Sequence, residues 1–271
     1  MIDRSRLLLL SLGLAAGFFS AFLGVGGGLV IVPILMVALH FPIKRAVGTS
    51  LATIVLVSLV GVAAESVVKW ANIHWGMGLV LTLGSLAGSW AGGRILARLP
   101  ETPLRVVYSA FLAFASYRMF ASAGAADGSG VLTLAAAPAL GCALAVVTGA
   151  IAGLSSVLFG IGGGIVTVPA LSILFREFPF HAARATSLVT IVPTSVYGAV
   201  QHRKLGNVDL PVVAWLVPTG LAGAILGVLV VNRIPAGPCR MAFAAFLVVA
   251  AIRILTLKSR TAVPEDSPQN G

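Results

Sequence analysis

The sequence predicts an all-α, polytopic integral membrane protein made of two homologous repeats. Of its 271 residues, 58% are apolar and only 10% are charged, whereas an ordinary soluble domain is about a quarter charged. The apolar runs are around twenty residues long, which is enough to cross a hydrocarbon core of roughly 30 Å. Nearly every motif of the first half recurs about 136 residues later. Composition, run length and repetition therefore give the same fold class.

Two glycine stretches are the most conspicuous part of the repeat. The first contains Gly24, Gly26, Gly27 and Gly28, and the second contains Gly160, Gly162, Gly163 and Gly164. Each is followed five residues later by a proline, Pro33 or Pro169. Because glycine is a poor helix former, each stretch predicts a break in a hydrophobic helix.

The repeat sets the domain boundaries. We predict a first membrane repeat at 1–121, a linker at 122–132, a second membrane repeat at 133–257 and a disordered tail at 258–271. The linker is rich in Gly, Ser and Ala, and the tail is polar. Apolar runs predict helices at about 7–23, 29–41, 46–68, 76–97, 103–121, 133–159, 165–178, 183–201, 208–232 and 237–257. This corresponds to 8–10 transmembrane segments.

The orientation depends on whether each glycine stretch interrupts one span or turns the chain back. An interruption gives four crossings per repeat and divides the 18 basic residues nine to nine between the two faces. A turn gives five segments per repeat and divides them twelve to six, with Arg184 among the six. The second division satisfies the positive-inside rule, and an odd number of segments inverts the second repeat. We therefore favour inverted repeats with both termini cytoplasmic.

Inverted repeats would place the two glycine breaks near one pseudo-two-fold axis at the bilayer midplane. The free N–H groups at the start of the following half-helices would then face a shared site. Helix N-termini carry partial positive charge and unsatisfied donors, so such a site suits an anion. The alternative is that the glycines only allow close helix packing. That packing interpretation is the one we apply to Gly84, Gly88, Gly92, Gly223 and Gly227.

Hydroxyl groups occur in the next pair of matched segments. They are Thr49, Ser50 and Thr53 in the first repeat, and Thr186, Ser187 and Thr190 in the second. Hydroxyl donors could bind an anion and release it more readily than Lys or Arg. The alternative is that each bonds back to the carbonyl four residues earlier. With the eight break glycines, these six residues form the predicted substrate-binding set.

Charged and metal-ligating residues give little further signal. The net charge of +10 comes from Lys and Arg at the joints between apolar runs, which is typical of topology signals and not of nucleic-acid binding. Glu65 is expected to pair with Lys69 near a helix end, so transport, if it is proton-linked, is expected not to depend on Glu65. The four histidines are expected to be solvated at helix ends. Cys142 and Cys239 show no metal-ligand spacing, so we predict no cofactor.

Other function classes fit poorly. Ser155 lies in Gly-Leu-Ser-Ser-Val, which lacks the last glycine of a Gly-x-Ser-x-Gly nucleophile motif. The first glycine stretch lacks both the third glycine of a dinucleotide motif and the Gly-Lys-Ser/Thr of a phosphate loop. We predict that the chain is not an enzyme. A passive channel or a membrane assembly factor remains the alternative to a carrier.

The paired Gly-x-Gly-Gly-Gly-x₄-Pro stretches, the Ala-x-x-Thr-Ser-Leu segments and the Lys-x-x-Asn-Val/Ile joints resemble the sulfite exporter TauE/SafE family of bacterial membrane permeases. The resemblance extends from about Leu7 to Leu257. It implies a multi-pass protein of the bacterial inner membrane that transports a small anion such as sulfite or a sulfonate. It does not identify the anion, the direction of transport or the oligomeric state.

Overall fold

The computed structural model describes residues 4–95, 101–121 and 131–256. In those ranges the chain forms ten α-helices, a short 3₁₀ turn at Trp70–Asn72 and no β-strand. The first five helices are α1 Arg4–Leu23, α2 Gly28–Ala38, α3 Ile43–Lys69, α4 Trp75–Ile95 and α5 Glu101–Ala121. The second five are α6 Pro138–Phe159, α7 Gly164–Leu174, α8 Phe180–Lys204, α9 Leu210–Val231 and α10 Ala236–Thr256. All ten predicted segments are helical, and their order matches the prediction.

The largest difference from the predicted boundaries is at α6, which begins at Pro138 instead of residue 133. Leu132 instead forms an isolated β-bridge with Phe175, and the Leu134 N–H donates to the Glu177 side chain at 2.9 Å. Pro138 then occupies the first turn of the helix, where its missing N–H costs nothing. Most of the predicted linker and the whole predicted tail lie outside the described residues.

The chain doubles back at each glycine break. A methyl group on Gly27 would lie 2.6 Å from the carbonyl oxygen of Ala16, and one on Gly163 would lie 2.9 Å from that of Ala152. Ala16 and Leu12 of α1 share one apolar cluster with Ile31 and Leu35 of α2. Such contacts require α2 to run back along α1, so the structure has the hairpin and not the interrupted straight helix.

The two five-helix repeats are interlocked with matching partners. The first helix of each repeat packs along the fourth helix of the other, giving the pairs α1 with α9 and α4 with α6. The third helices, α3 and α8, pack on one another, and so do the fifth helices, α5 and α10. Equivalent pairing in both directions is the contact pattern expected of two repeats related by a pseudo-two-fold axis.

Small residues let these helices approach closely. A methyl group on Gly17 would lie 2.0 Å from the Gly220 carbonyl oxygen, and one on Gly88 would lie 1.9 Å from that of Ala150. Gly84, Gly223 and Gly227 also face backbone atoms of the partner helix, at 2.1 to 2.5 Å from an added methyl group. The packing role predicted for Gly84, Gly88, Gly223 and Gly227 is confirmed, because a side chain there would meet main-chain atoms that cannot move aside. At Gly92, an added methyl group would meet the Leu154 side chain at 3.0 Å, so the contact there is looser.

Four stretches of helix in the described residues are long and apolar enough to cross a membrane: Arg6–Leu23, Ile43–Asn72, Pro138–Phe159 and Leu210–Val231. The helices Gly28–Ala38 and Gly164–Leu174 are apolar but only 11 residues long, about half a crossing at 1.5 Å per residue. Large apolar side chains also cover outer faces, for example Leu79 and Leu83 of α4. The chain is a multi-pass membrane protein with glycine-broken first helices.

Candidate functional site

The two glycine breaks are in direct contact at the centre of the molecule. A methyl group on Gly28 would lie 1.8 Å from the Gly160 carbonyl oxygen, and one on Gly164 would lie 1.9 Å from that of Gly24. Gly26 approaches Ile54 of α3, and Gly162 approaches Ile191 of α8. Both isoleucines stand near the middle of their helices, so the breaks meet at mid-length of the two longest helices.

Left-handed backbone explains why the breaks need glycine. Gly24, Gly26 and Gly27 have φ of 70°, 93° and 72°, and their counterparts Gly160, Gly162 and Gly163 have φ of 70°, 82° and 86°. Side chains are strained at such angles. The two repeats therefore use the same backbone conformation to turn the chain between half-helices.

Unpaired donors converge on this centre. The N–H groups at the start of α2, from Gly26 to Leu29, donate to no acceptor in the described part of the chain, and the same holds from Gly162 to Ile165 at the start of α7. The first bonds to the breaks come later, from Val30 and Ile31 to Gly27 O and from Val166 and Thr167 to Gly163 O. Two helix N-termini thus present their positive ends close together, an arrangement that attracts negative charge.

Two serines that sequence reasoning did not include in the site stand beside these donors. Ser20 and Ser156 occupy equivalent positions one turn before each break, and both are fully buried. Neither hydroxyl has a hydrogen-bond partner among the described residues. Buried polar groups are normally paired, so these two hydroxyls are available to a ligand. Their repetition in the sequence was the signal that could have identified them.

The predicted serines bind the breaks themselves. Ser50 of the first repeat donates to Gly160 O at 3.1 Å. The Ser187 hydroxyl of the second repeat lies 2.8 Å from Gly24 O and 2.7 Å from Arg184 O and shares its one proton between these two acceptors. Each serine therefore fixes the break of the opposite repeat. Because its proton is already donated to a carbonyl, it can meet an anion as a donor only if it rotates.

The predicted threonines join the helices around the breaks. Thr49 accepts a hydrogen bond from the Asp209 N–H at 3.0 Å, and Thr186 accepts one from the His74 N–H at 3.1 Å. Thr53 donates to the Thr49 carbonyl, four residues earlier, and Thr190 approaches the Gly78 carbonyl at 3.4 Å. The back-bonding alternative thus describes Thr53. All six hydroxyl residues are buried and lie on α3 and α8.

A charged cluster that the sequence did not predict lies at one side of the first break. Arg184 Nη2 stands 2.6 Å from Glu65 Oε2, and both side chains are fully buried. Asn72 donates to Glu65 Oε1 at 2.8 Å, and Asn232 donates to Oε2 at 3.0 Å. The expected interfacial pairing of Glu65 with Lys69 is therefore wrong. Arg184 is likewise buried in the interior, so it does not count as a topology signal. Without it, the basic residues divide twelve to five between the two membrane faces instead of twelve to six.

Comparisons with known proteins agree with this architecture. The family model for the sulfite exporter TauE/SafE family matches residues 8–150 and 145–270. The chain is 32% identical over 251 residues to "Probable membrane transporter protein YunE" of Bacillus subtilis, covering 84% of this chain and 89% of the relative. It is 26% identical to a "Probable membrane transporter protein" of Methanocaldococcus jannaschii, over 92% of this chain and 94% of the relative. No solved structure matches.

The chain belongs to the TauE/SafE family. The family model is matched once by each half of the chain, consistent with the two repeats. The relatives carry the names of membrane transporters, so the fold and the central break of this TauE/SafE protein are those of a transporter family.

The repeats of this TauE/SafE protein are not equivalent at the charged cluster. Val47 takes the position of Arg184 in the first repeat, and His202 takes the position of Glu65 in the second. Arg184 Nη1 donates to the Ala21 carbonyl at 2.8 Å, whereas the His202 imidazole lies against the backbone of Val157, the counterpart of Ala21. His202 is 3% exposed, so the expected solvated imidazole is wrong at this position.

Proposed function

We propose that this protein is a permease that carries a small, sulfur-containing anion such as sulfite or a sulfonate across the bacterial inner membrane. The observation that carries the proposal is the meeting of two half-helix N-termini, with eight unpaired N–H groups, at mid-length of α3 and α8. Donors in this arrangement bind an anion without a full positive charge, so the ion can leave again. Transport and not catalysis is therefore the activity we assign.

The binding site draws on both repeats. Its donors are the eight break N–H groups of Gly26, Gly27, Gly28 and Leu29 and of Gly162, Gly163, Gly164 and Ile165, supported by Gly24 and Gly160. The Ser20 and Ser156 hydroxyls contribute two further donors. The Ser50 and Ser187 hydroxyls each bond to the break of the opposite repeat, and the hydroxyls of Thr49, Thr53, Thr186 and Thr190 complete the polar surroundings of the anion.

The termini are assigned to the cytoplasm on the basic-residue balance. Twelve of the remaining basic residues fall on one face and five on the other when the chain turns back at each break, as it does in this structure. Single cysteines at Gly128, Lys44 and the C-terminus, in a background without Cys142 and Cys239, test this with a membrane-impermeant thiol reagent. Labelling of intact cells at Gly128 alone supports the assignment, and labelling at position 44 contradicts it.

The function is tested by flux of radiolabelled sulfite, and separately of labelled methanesulfonate, into proteoliposomes containing the purified protein. A carrier shows counterflow: unlabelled anion inside the vesicle accelerates entry of labelled anion. A passive channel shows flux without counterflow. The matched controls are empty liposomes and Gly76→Ala, since a methyl group on Gly76 meets nothing within 4 Å. Absence of protein-dependent flux for both anions would contradict the proposal.

A further inference from the structure

Arg184 is a fully buried cation at the edge of the proposed site. Its side chain passes directly beside the first break, because a methyl group on Gly24 would lie 2.8 Å from Arg184 Cγ. Nη1 donates to the Ala21 carbonyl in the last turn of α1. Nε has no acceptor among the described residues. The guanidinium thus retains a free, buried N–H close to the unpaired donors of the break.

Glu65 would keep hydrogen-bond partners if the Arg184 guanidinium moved away from it. Its two oxygens accept hydrogen bonds from Asn72 and Asn232, and Asn72 also donates to the Asn232 Oδ1 at 3.0 Å. Asn232 is further tied to the Val228 carbonyl at 3.0 Å. A carboxylate fixed by two amides keeps hydrogen-bond partners when its cation turns elsewhere, which lowers the cost of separating a buried ion pair.

We propose that Arg184 is the residue that neutralises the charge of the transported anion, and that Glu65 is the internal anion with which the substrate competes. The inference rests on the proposed function and identifies the residue that supplies positive charge to the anion site. In the empty protein the pair is neutral, so no bare cation stands in the membrane interior. A substrate at the break engages the guanidinium through the same planar N–H fork that carboxylates and other oxyanions use.

The charge is supplied from one repeat only. The equivalent position in the first repeat is Val47, which cannot bind an anion. The ligand therefore meets a pseudo-symmetric set of backbone donors but an asymmetric charge. A small oxyanion with one or two negative charges fits this arrangement better than a neutral solute, because a neutral solute gives Arg184 no reason to leave Glu65.

The test is anion affinity in variants that keep the cluster electrically neutral. Sulfite and methanesulfonate binding is measured by calorimetry on the purified protein and on R184Q/E65Q, with R184M/E65L as a second neutral pair. Loss of charge-assisted hydrogen bonds should weaken binding roughly tenfold to a hundredfold. In Glu65→Gln, where the competing charge is removed and the remaining carbonyl oxygen can still accept one of the two asparagine N–H bonds, binding should tighten several-fold. The matched control is Arg45→Gln, which removes an ion pair whose arginine side chain is 49% exposed.

A structural role alone would not produce this pattern. If Arg184 only caps α1, the neutral pairs change the melting temperature but leave anion affinity within about twofold of the wild type, and the inference is wrong. If the wild-type protein binds neither anion, the proposed function fails together with it. If the wild type binds and the neutral pairs bind equally well, only the assignment of Arg184 fails.

Discussion

The two ends of the α3–α8 pair, which the pseudo-two-fold axis relates to each other, share a backbone but differ in charge. At one end, α3 finishes and α8 begins, and the buried Glu65–Arg184 pair joins them. At the other end, α3 begins and α8 finishes, and the equivalent positions are Val47 and His202. This second end has its own ion pair, Arg45 with Asp209, but the Arg45 side chain is 49% exposed.

The comparison shows which structural features occur in both repeats and which occur in only one. Glycine breaks, cross-repeat serine bonds and helix pairings occur twice, so the fold and the proposed donors need both copies. The buried charge occurs once. Any functional difference between the two halves must come from residues that the repeat does not copy, and the Glu65–Arg184 cluster is the clearest such feature in the described residues.

The largest effects are expected where the two breaks touch at the centre, and they should be equal in the two repeats. Gly28→Ala and Gly164→Ala each place a methyl group within 2 Å of a carbonyl oxygen of the opposite break. Because the atoms on both sides of this contact belong to the backbone, neither side can shift to make room. The free energy of unfolding should therefore fall by more than about 3 kcal/mol. Denaturation in detergent measures this, with Gly76→Ala as the unaffected control. A native melting profile in either variant would show that the breaks separate readily.

The break glycines therefore have two roles that a single substitution cannot separate. Gly27→Leu and Gly163→Leu would strain left-handed backbone and press on Ala16 or Ala152. Both changes should abolish transport, but through loss of the packed break as much as through obstruction of the anion. The more informative variants for binding are Ser20→Ala and Ser156→Ala, because those hydroxyls have no partner among the described residues.

The next effect should differ between the ends. Arg184→Gln leaves Glu65 as a buried charge without its cation, which costs about 3–5 kcal/mol of stability. His202→Gln at the equivalent end removes no formal charge in the neutral state and should cost about 1 kcal/mol. Melting curves of the two variants in one detergent make the comparison. Equal losses would mean that Glu65 and Arg184 are not paired in the membrane protein.

Sequence reasoning predicted the architecture well because hydrophobic runs and internal repetition are local signals. Ten helices, the hairpin at each break and the glycine packing surfaces all follow from them. The partner of Glu65 could not be predicted in the same way. Lys69 lies four residues later on the same helix and was the expected partner, whereas the observed partner, Arg184, lies on α8, 119 positions later in the sequence. Long-range contacts of single, unrepeated residues leave no period to detect.

For the hydroxyl residues, the sequence predicted which residues are polar and on which helices they lie, but not their hydrogen-bond partners. All six are buried on α3 and α8, and two of them, Ser50 and Ser187, bond to the breaks. Their hydrogen bonds depend on which carbonyl or N–H of the opposite repeat stands opposite each hydroxyl. These partners are set by how α3 packs against α8, and residue spacing within one repeat does not predict that packing.

Moderate and equal effects are expected for the cross-repeat serines. Ser50→Ala and Ser187→Ala each remove a hydrogen bond to a break carbonyl, worth about 0.5–1.5 kcal/mol. Each variant should also raise the dissociation constant for sulfite, because the break it fixes belongs to the other repeat. Calorimetry on both variants tests the equivalence. A change in affinity confined to one variant would indicate that the substrate uses only one break.

The smallest effect should come from the second ion pair. Arg45→Gln removes the contact with Asp209, but Arg45 is half exposed and stacks on the Phe41 ring at 4.5 Å, so solvent and salt already screen the charge. The expected loss is at most about 1 kcal/mol, and it should shrink further between low and high salt. Asp209 retains its bond from the Val212 N–H and so still caps α9. Melting temperatures at two salt concentrations provide the measurement. A loss as large as that of Arg184→Gln would mean that burial does not distinguish the two ends, and the assignment of the functional charge to Arg184 would lose its physical basis.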